Sequence, residues 1–308
     1  MADRIGRSVA GRSVILQEQR RNVVDWFISI ILGIVEGVTE FLPISSTGHL
    51  TITEQLLGLS IDSPDVTAFT AVIQVGAIAA AILYFWKDIV RLAVGWFVGL
   101  FRPAKRGTDY RLGWAVIVGS IPIGIVGLAF HTIIETVLRS LWVVAGALIL
   151  WSVVLWVGDR YSTRMSVRRP ERIRDESSLT VFDALVIGAT QCFALVPGVS
   201  RSGATISAAL LRGIDRTTAT RWSFFLGIPA LTLSGIMQAV TQFDSISSGI
   251  GWPPTIMATV VSFIVAYASI AWLLKFVASN RFTLFIVYRV LAGLVVIAFI
   301  LLGAVQAV

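Results

Sequence analysis

The chain has 308 residues, of which 56% are hydrophobic and only 14% are charged. Soluble domains carry about 25% charged residues, so this composition excludes an ordinary soluble protein and indicates a polytopic membrane protein. The formal net charge of +7 comes from Lys and Arg residues that collect in short segments, which favours a role in membrane orientation over nucleic-acid binding.

The chain begins with a basic segment, residues 1–22, that lacks the long apolar core of a signal peptide. We interpret this segment as a mobile arm outside the membrane domain. Six apolar runs follow later in the chain, and each is about long enough to cross the hydrocarbon core as a helix. These runs are residues 66–85, 112–130, 141–157, 222–240, 254–274 and 283–308.

Basic and non-basic connections alternate between these runs. Segments 87–111 and 159–176 each contain six Lys or Arg residues, and segments 212–221 and 275–281 are also basic. Lys and Arg are enriched in cytoplasmic loops of membrane proteins. The pattern therefore places 87–111, 159–180, 212–221 and 275–281 in the cytoplasm.

Two polar motifs remain outside the six runs, and they resemble each other. The first is GIVEGVTEFLPISSTG, residues 33–48, and the second is GATQCFALVPGVSRSG, residues 188–203. A constant offset of 155 residues aligns several pairs: Gly33 with Gly188, Glu36 with Gln191, Ser45 with Ser200, Thr47 with Ser202 and Gly48 with Gly203. The chain therefore contains the same unit twice, and each unit is one motif followed by three spans.

This repeat predicts the fold class. Three spans per half give the halves opposite orientations, as in inverted-repeat transporters. We predict an all-α polytopic membrane protein with six full spans and two re-entrant helical hairpins. The first repeat is 23–158, the basic cytoplasmic linker is 159–180 and the second repeat is 181–308, all within one integral membrane domain. The basic arm favours the alternative in which 23–42 crosses the membrane completely.

Glu36 and Glu40 are candidate metal ligands. They are four residues apart, so they share one face of a helix. Two carboxylates in a low dielectric repel each other unless a cation lies between them, and Mg²⁺ or Ca²⁺ suits such oxygen ligands. The single cysteine, Cys192, excludes a multi-cysteine metal site. The alternative is that both acids lie at a solvated helix end.

The other candidate residues suit phosphate chemistry. His49 can act as a general base near neutral pH, although a lone histidine can also be structural. In the second motif a Gly-containing turn precedes a helix, whose amide groups can bind an anion. Arg201 adds a planar cationic fork, and hydroxyl donors surround it. These are Ser200, Ser202 and Thr205. The alternative here is a helix cap with an arginine that reaches the interface.

The two motifs resemble the undecaprenyl-diphosphate phosphatase family, also called the bacitracin-resistance family. The resemblance rests on EGVTEFLPISSTGHL (36–50) and PGVSRSGAT (197–205), with support from 69–78, 183–191 and 216–230, and it covers about residues 24–305. It implies a metal-dependent, multi-pass enzyme of the bacterial cytoplasmic membrane whose active site opens to the outer side. This enzyme would remove the terminal phosphate of undecaprenyl diphosphate and recycle the carrier lipid for cell-wall synthesis.

The resemblance also implies residue roles. Glu36 and Glu40 match the metal and diphosphate ligands, and Ser46 and His49 match the catalytic hydroxyl and histidine. The phosphate-binding turn matches Ser200, Arg201 and Thr205, to which we add Ser45 and Ser202. We expect attack on the terminal phosphorus by Ser46 with His49 as base, or by water that His49 activates.

A transporter or lipid flippase with the same headgroup site is the alternative function, because inverted repeats with broken helices are typical of transporters. The partners expected in either case are the lipid bilayer and a polyprenyl phosphate or diphosphate lipid. The sequence leaves the oligomeric state open, and a homodimer is one candidate.

Overall fold

A computed structural model describes residues 26–59, 61, 63–136, 140–248 and 250–305. The predicted N-terminal arm, 1–22, lies outside these residues. The described chain forms helices joined by short turns. The helices are α1 (Trp26–Thr39), α2 (Ser46–Leu56), α3 (Pro64–Tyr84), α4 (Trp86–Phe101), α5 (Thr108–Thr136), α6 (Leu141–Arg168), α7 (Val181–Gln191), α8 (Arg201–Leu211), α9 (Arg216–Thr241), α10 (Phe243–Ser248), α11 (Trp252–Ser279) and α12 (Thr283–Leu301).

Six of the described helices are long and apolar enough to cross a membrane: α3, α5 as far as Phe130, α6, α9, α11 and α12. They coincide with the six apolar runs of the sequence, so the prediction of an all-α polytopic membrane protein is confirmed. A helix satisfies its backbone hydrogen bonds internally, and each run has few enough charges for such a helix to lie in the hydrocarbon core.

The basic segment 87–111 is not a simple loop, because most of it forms α4. One face of α4 is apolar and exposed, with Trp86, Val90, Val94 and Phe97 at helical spacing. The opposite face packs against α5, and Arg91 donates to Asp109 at 2.6 Å. Likewise, α6 continues past residue 157 to Arg168, into the segment predicted as a linker.

The two polar motifs form two broken helices. In the first hairpin, 26–56, α1 ends at Thr39, the chain turns through 40–45, and α2 begins at Ser46. Ile28 near the start of α1 and Leu57 after α2 belong to one apolar cluster, so the chain returns along its own path. The second hairpin, 181–211, joins α7 to α8 through a short 3₁₀ turn and the loop 196–200. The break at 40–45 favours a hairpin over an uninterrupted helix through 23–42.

Glycines hold each broken helix directly against a long span. A Cβ atom at Gly33 would lie 2.6 Å from the carbonyl oxygen of Ala258 in α11, and one at Gly188 would clash with the carbonyl oxygen of Gly119 in α5. Small residues permit such close backbone approach between membrane helices. The two helices of each contact come from different halves of the chain, as a repeat exchanged across the molecule would require. The opposite orientation of the halves in the membrane, and with it the division at 159–180, stays a prediction.

Candidate active site

Both hairpin loops end in a serine with an unusual backbone. Ser45 has φ 77° and Ser200 has φ 75°, and they are the only non-glycine residues with positive φ in the described chain. Each serine caps the helix that follows it: Ser45 Oγ accepts from the amide of Gly48 at 3.4 Å, and Ser200 Oγ accepts from that of Gly203 at 3.1 Å. Positive φ is costly for an L-residue, so both loops retain strain in order to place a hydroxyl at this point.

The two loops contact each other directly. Ser45 Oγ also accepts from the amide of Gly198 at 3.1 Å, and Ser202 Oγ donates to the carbonyl of Leu42 at 2.9 Å. Each hairpin thus supplies one hydroxyl to the backbone of the other. The predicted residues of both motifs therefore lie in one place, although they are about 150 positions apart in the chain.

Arg201 forms the positive part of this site. Its Nη2 donates to Glu40 Oε1 at 3.3 Å and its Nη1 to the carbonyl of Ser223 at 2.9 Å, while Nε has no partner in the described chain. The guanidinium also lies 5.7 Å from the ring centroid of Phe41. With its side chain only 9% exposed, Arg201 is a partly desolvated, positioned cation.

Glu40 links Arg201 to the candidate nucleophile. Ser46 Oγ donates to Glu40 Oε2 at 2.6 Å, and Gln74 Nε2 donates to the same oxygen at 3.3 Å. The acceptor that contacts the Ser46 hydroxyl is therefore Glu40, whereas the sequence argument paired Ser46 with His49. A carboxylate at this distance can take the serine proton during attack.

His49 has different partners. Its Nδ1 lies 2.7 Å from the carbonyl oxygen of Ser45, which can only accept, so this nitrogen carries the proton. Nε2 is then the acceptor, and it lies 2.7 Å from the hydroxyl of Tyr288 in α12. The two rings are nearly parallel, with an interplanar angle of 11°. Sequence reasoning missed Tyr288, because an aromatic residue inside an apolar run carries no distinctive signal.

Glu36 is the residue best suited to hold a cation. It is fully buried, and neither carboxylate oxygen has a hydrogen-bond partner in the described chain. Its surroundings include the charges of Glu40 and Arg201. An unpaired buried carboxylate is costly, and a hard divalent cation would stabilise it. No group of three His, Cys, Asp or Glu side chains among the described residues is placed to hold a metal. A cation here would therefore need oxygen ligands from substrate or water as well.

The remaining predicted residues have local partners. Ser200 Oγ and Ser202 Oγ lie 3.1 Å apart. Thr205 is fully buried, and its hydroxyl donates to the carbonyl of Arg201 at 2.9 Å. Thr205 thus supports the first turn of α8 in this structure, and direct donation to phosphate stays a prediction.

Arg289 in α12 is a second arginine at the site, which sequence reasoning also missed. It is fully buried and contacts both hairpin loops through the carbonyl oxygens of Pro43 and Gly198. A signal was available, since Arg289 is the only charged residue in the apolar run 283–308, and ionisable residues inside membrane helices are usually functional.

Comparison with known proteins shows the family to which the chain is similar. Residues 29–295 match the family model described as bacitracin resistance protein BacA. The chain is 58% identical over 292 residues to the undecaprenyl-diphosphatase of Cutibacterium acnes, which covers 92% of this chain and 100% of that protein. It is 57% identical over 280 residues to undecaprenyl-diphosphatase 3 of Frankia casuarinae, covering 91% and 98% of the two chains.

A third relative is more distant. The undecaprenyl-diphosphatase of Mycolicibacterium smegmatis is 46% identical over 286 residues, covering 92% of this chain and 100% of that protein. The family model begins inside α1 and ends inside α12, so it spans the second hairpin and five of the six long apolar helices in full. The chain belongs to the BacA family of bacitracin resistance proteins.

Proposed function

We propose that this protein is a membrane phosphatase that hydrolyses undecaprenyl diphosphate to undecaprenyl phosphate and inorganic phosphate. The observation that carries the proposal is the connected, largely buried chain of Ser46, Glu40 and Arg201 at the junction of the two hairpins. It combines a nucleophile, a base and an anion-binding cation. The names of the relatives, which cover nearly the whole chain, support the same substrate and the role in recycling the carrier lipid.

Arg201 binds the diphosphate in this proposal. Its bond to the Ser223 carbonyl holds the guanidinium in place, while the second nitrogen and the unpartnered Nε can turn to phosphate oxygens. Charge-assisted bonds from a planar fork suit this anion. The first amides of α8 add donors at a helix N-terminus, and the hydroxyls of Ser200 and Ser202 join them when they release each other and the Leu42 carbonyl.

Ser46 attacks the terminal phosphorus. Its proton passes to Glu40 Oε2, a new Oγ–P bond forms, and the bond from phosphorus to the bridging oxygen breaks. Undecaprenyl phosphate leaves with that oxygen. Water then hydrolyses the phosphoserine and releases inorganic phosphate. His49, whose Nε2 is the acceptor nitrogen, activates this water once the Tyr288 hydroxyl has moved aside.

Glu36 and Glu40 are the residues that would hold a divalent cation, Mg²⁺ or Ca²⁺. Glu36 would contribute its two unpartnered oxygens, whereas Glu40 would join it by giving up part of its present contacts with Ser46, Arg201 and Gln74. When bound, such a cation neutralises negative charge on the diphosphate.

The membrane arrangement follows the sequence prediction. We propose that both hairpins are re-entrant, that the two repeats are inverted, and that the site opens to the periplasmic or outer side of the bacterial cytoplasmic membrane. The matched serine geometry and the exchanged glycine contacts of the hairpins support the repeat. A homodimer stays a prediction.

The test is phosphate release by the purified protein from undecaprenyl diphosphate, with and without EDTA. We expect release that EDTA abolishes and that added Mg²⁺ or Ca²⁺ restores. Ser46→Ala should lower kcat by about 100-fold or more. Thr51→Ala is the matched control, because the Thr51 hydroxyl lies on the same helix and donates only to the carbonyl of Thr47.

Rapid quenching distinguishes the two routes of attack. A phosphorylated enzyme that is lost in Ser46→Ala supports the covalent route, and its absence at every time point supports direct attack by water. Movement of the lipid headgroup across the vesicle membrane without phosphate release would show that the protein is a transporter and not a phosphatase.

A further inference from the structure

Arg289 is fully buried and donates to four acceptors in three elements. Its Nε donates to Ser152 Oγ at 3.2 Å, Nη1 to the carbonyl of Pro43 at 3.1 Å, and Nη2 to the carbonyls of Gly198 at 2.9 Å and Ala147 at 3.4 Å. The residue is 0% exposed. All four acceptors are neutral, so this buried cation is held entirely by dipoles.

Burying a guanidinium without a carboxylate partner is costly, and polar groups inside membrane proteins are usually retained for function. The acceptors indicate the function. Two of them are backbone carbonyls in the two hairpin loops: Pro43 lies three residues before Ser46, and Gly198 lies three residues before Arg201. One planar group therefore connects the loop that carries the nucleophile to the loop that carries the phosphate-binding arginine.

The other two acceptors fix the guanidinium itself. Ala147 and Ser152 belong to α6, and Arg289 belongs to α12. The guanidinium is therefore fixed by two long spans, one that carries it and one that accepts two of its hydrogen bonds. The cross-loop bond from the amide of Gly198 to Ser45 Oγ holds the same residue through its neighbouring peptide group. The two loops are thus held together by their direct hydrogen bonds, and Arg289 fixes both of them to the long spans.

We propose that Arg289 is a positioning residue that sets the distance between Ser46 and Arg201. This inference rests on the proposed function, because Ser46 and Arg201 must act on the same phosphoryl group. A fork with donors in several directions is required, and a lysine ammonium cannot reach all four acceptors from one point. Displacement of a reacting group by about 1 Å can lower a catalytic rate by about 100-fold.

The experiment compares Arg289→Lys and Arg289→Met with wild-type protein in two measurements. The first is steady-state hydrolysis of undecaprenyl diphosphate. We expect kcat to fall by about 100-fold in Arg289→Lys and further in Arg289→Met. KM should change by less than about threefold in Arg289→Lys, because Arg201 still binds the headgroup.

The second measurement is hydrogen–deuterium exchange of the loop amides in 40–45 and 196–200, without substrate. We expect both loops to exchange at least about tenfold faster in either variant, since their shared anchor is lost. Arg216→Lys is the matched control. Arg216 ties α9 to α6 through Asp159 and Thr163, away from the loops, so both kcat and loop exchange should stay within about twofold of wild type.

Three results would overturn the proposal: wild-type kcat in either Arg289 variant, loss of activity with unchanged loop exchange, or failure of both variants to fold, which would make Arg289 a folding residue only. The exchange measurement needs no substrate. If the wild-type protein did not hydrolyse undecaprenyl diphosphate, the proposed function would fail while loop exchange would still decide the role of Arg289.

Discussion

The two hairpins share a backbone but carry opposite chemistry. Each places a positive-φ serine before a helix, and each caps that helix three residues later. At equivalent positions, however, the first hairpin has Ser46 where the second has Arg201. It also has acids where the second has neutral side chains: Glu36 is replaced by Gln191 and Glu40 by Leu195.

This difference shows how two similar hairpins can form two halves of a site. In the proposed function the first hairpin supplies the nucleophile, the base and the cation ligands, and the second supplies the positive charge for an anion. Gln191 makes the comparison sharp, because it is as fully buried as Glu36 and its amide atoms also lack partners in the described chain. The shape of the position is thus shared, and the charge alone differs.

The largest effect is expected where the two charges meet. Arg201→Lys should lower kcat/KM by about 100-fold or more, because an ammonium group cannot contact Ser223, Glu40 and a phosphate together. Arg212→Lys is the control, since Arg212 lies one residue past α8 and pairs with Asp183. Phosphate-release kinetics check both. Near-normal activity of Arg201→Lys would contradict the proposed role of Arg201 in binding phosphate.

Exchanging the acid and the amide tests the second largest difference. Glu36→Gln makes the first hairpin resemble the second, and we expect it to raise the cation concentration for half-maximal activity by about tenfold or more. Titration of activity with Mg²⁺ or Ca²⁺ measures this. An unchanged cation requirement would contradict Glu36 as a ligand.

The reverse exchange, Gln191→Glu, should act on stability. It buries a carboxylate at a position where Gln191 has no hydrogen-bond partner in the described chain, so we expect the melting temperature to fall by about 5–10 °C. Thermal unfolding in detergent measures this change. An unchanged melting temperature would show that the second hairpin tolerates the acid and that the two positions do not differ in their surroundings.

A smaller effect separates the two caps. Ser200→Ala should destabilise the fold more than Ser200→Gly, by about 1 kcal/mol, because glycine adopts positive φ without strain although both lose the cap. Ser45→Ala should cost more than Ser200→Ala, since Ser45 Oγ also holds the amide of Gly198. Thermal unfolding checks the order, and a reversed order would contradict the strain argument.

The smallest effect is expected at the histidine. Tyr288→Phe removes the hydroxyl that faces His49 Nε2, and we expect kcat to change by about 3- to 10-fold. Tyr267→Phe is the control, because its ring packs against that of Tyr84. Equal kinetics for both variants would limit Tyr288 to a packing role.

The six spans and the pairing of the motifs could be predicted because they depend on local patterns. Apolar length identifies a span, and the constant offset between the motifs indicates that they are equivalent. The helix α4 could not be recognised in the same way, because the basic residues that flank it, such as Arg102 and Lys105, made the whole of 87–111 look like a loop. Its apolar face was the missed signal.

The hydrogen-bond partners within the site could not be predicted from the sequence. The family resemblance implied that Ser46 is the catalytic hydroxyl and His49 the catalytic histidine. The bend at 40–45 instead brings Glu40 to Ser46, and the His49 ring contacts the hydroxyl of Tyr288 in α12. Contacts between positions more than 200 residues apart depend on how helices pack, and a single sequence does not encode them as a visible pattern.

The contact between Gly188 and Gly119 has a consequence for the depth of the site. Because the two backbones touch, no side chain lies between α7 and α5 to adjust their relative height. A shift of α7 by one residue would bring a larger side chain against that carbonyl and would be blocked. The level at which Arg201 sits between the long helices is therefore fixed by the position of Gly188, a glycine thirteen residues earlier in the chain.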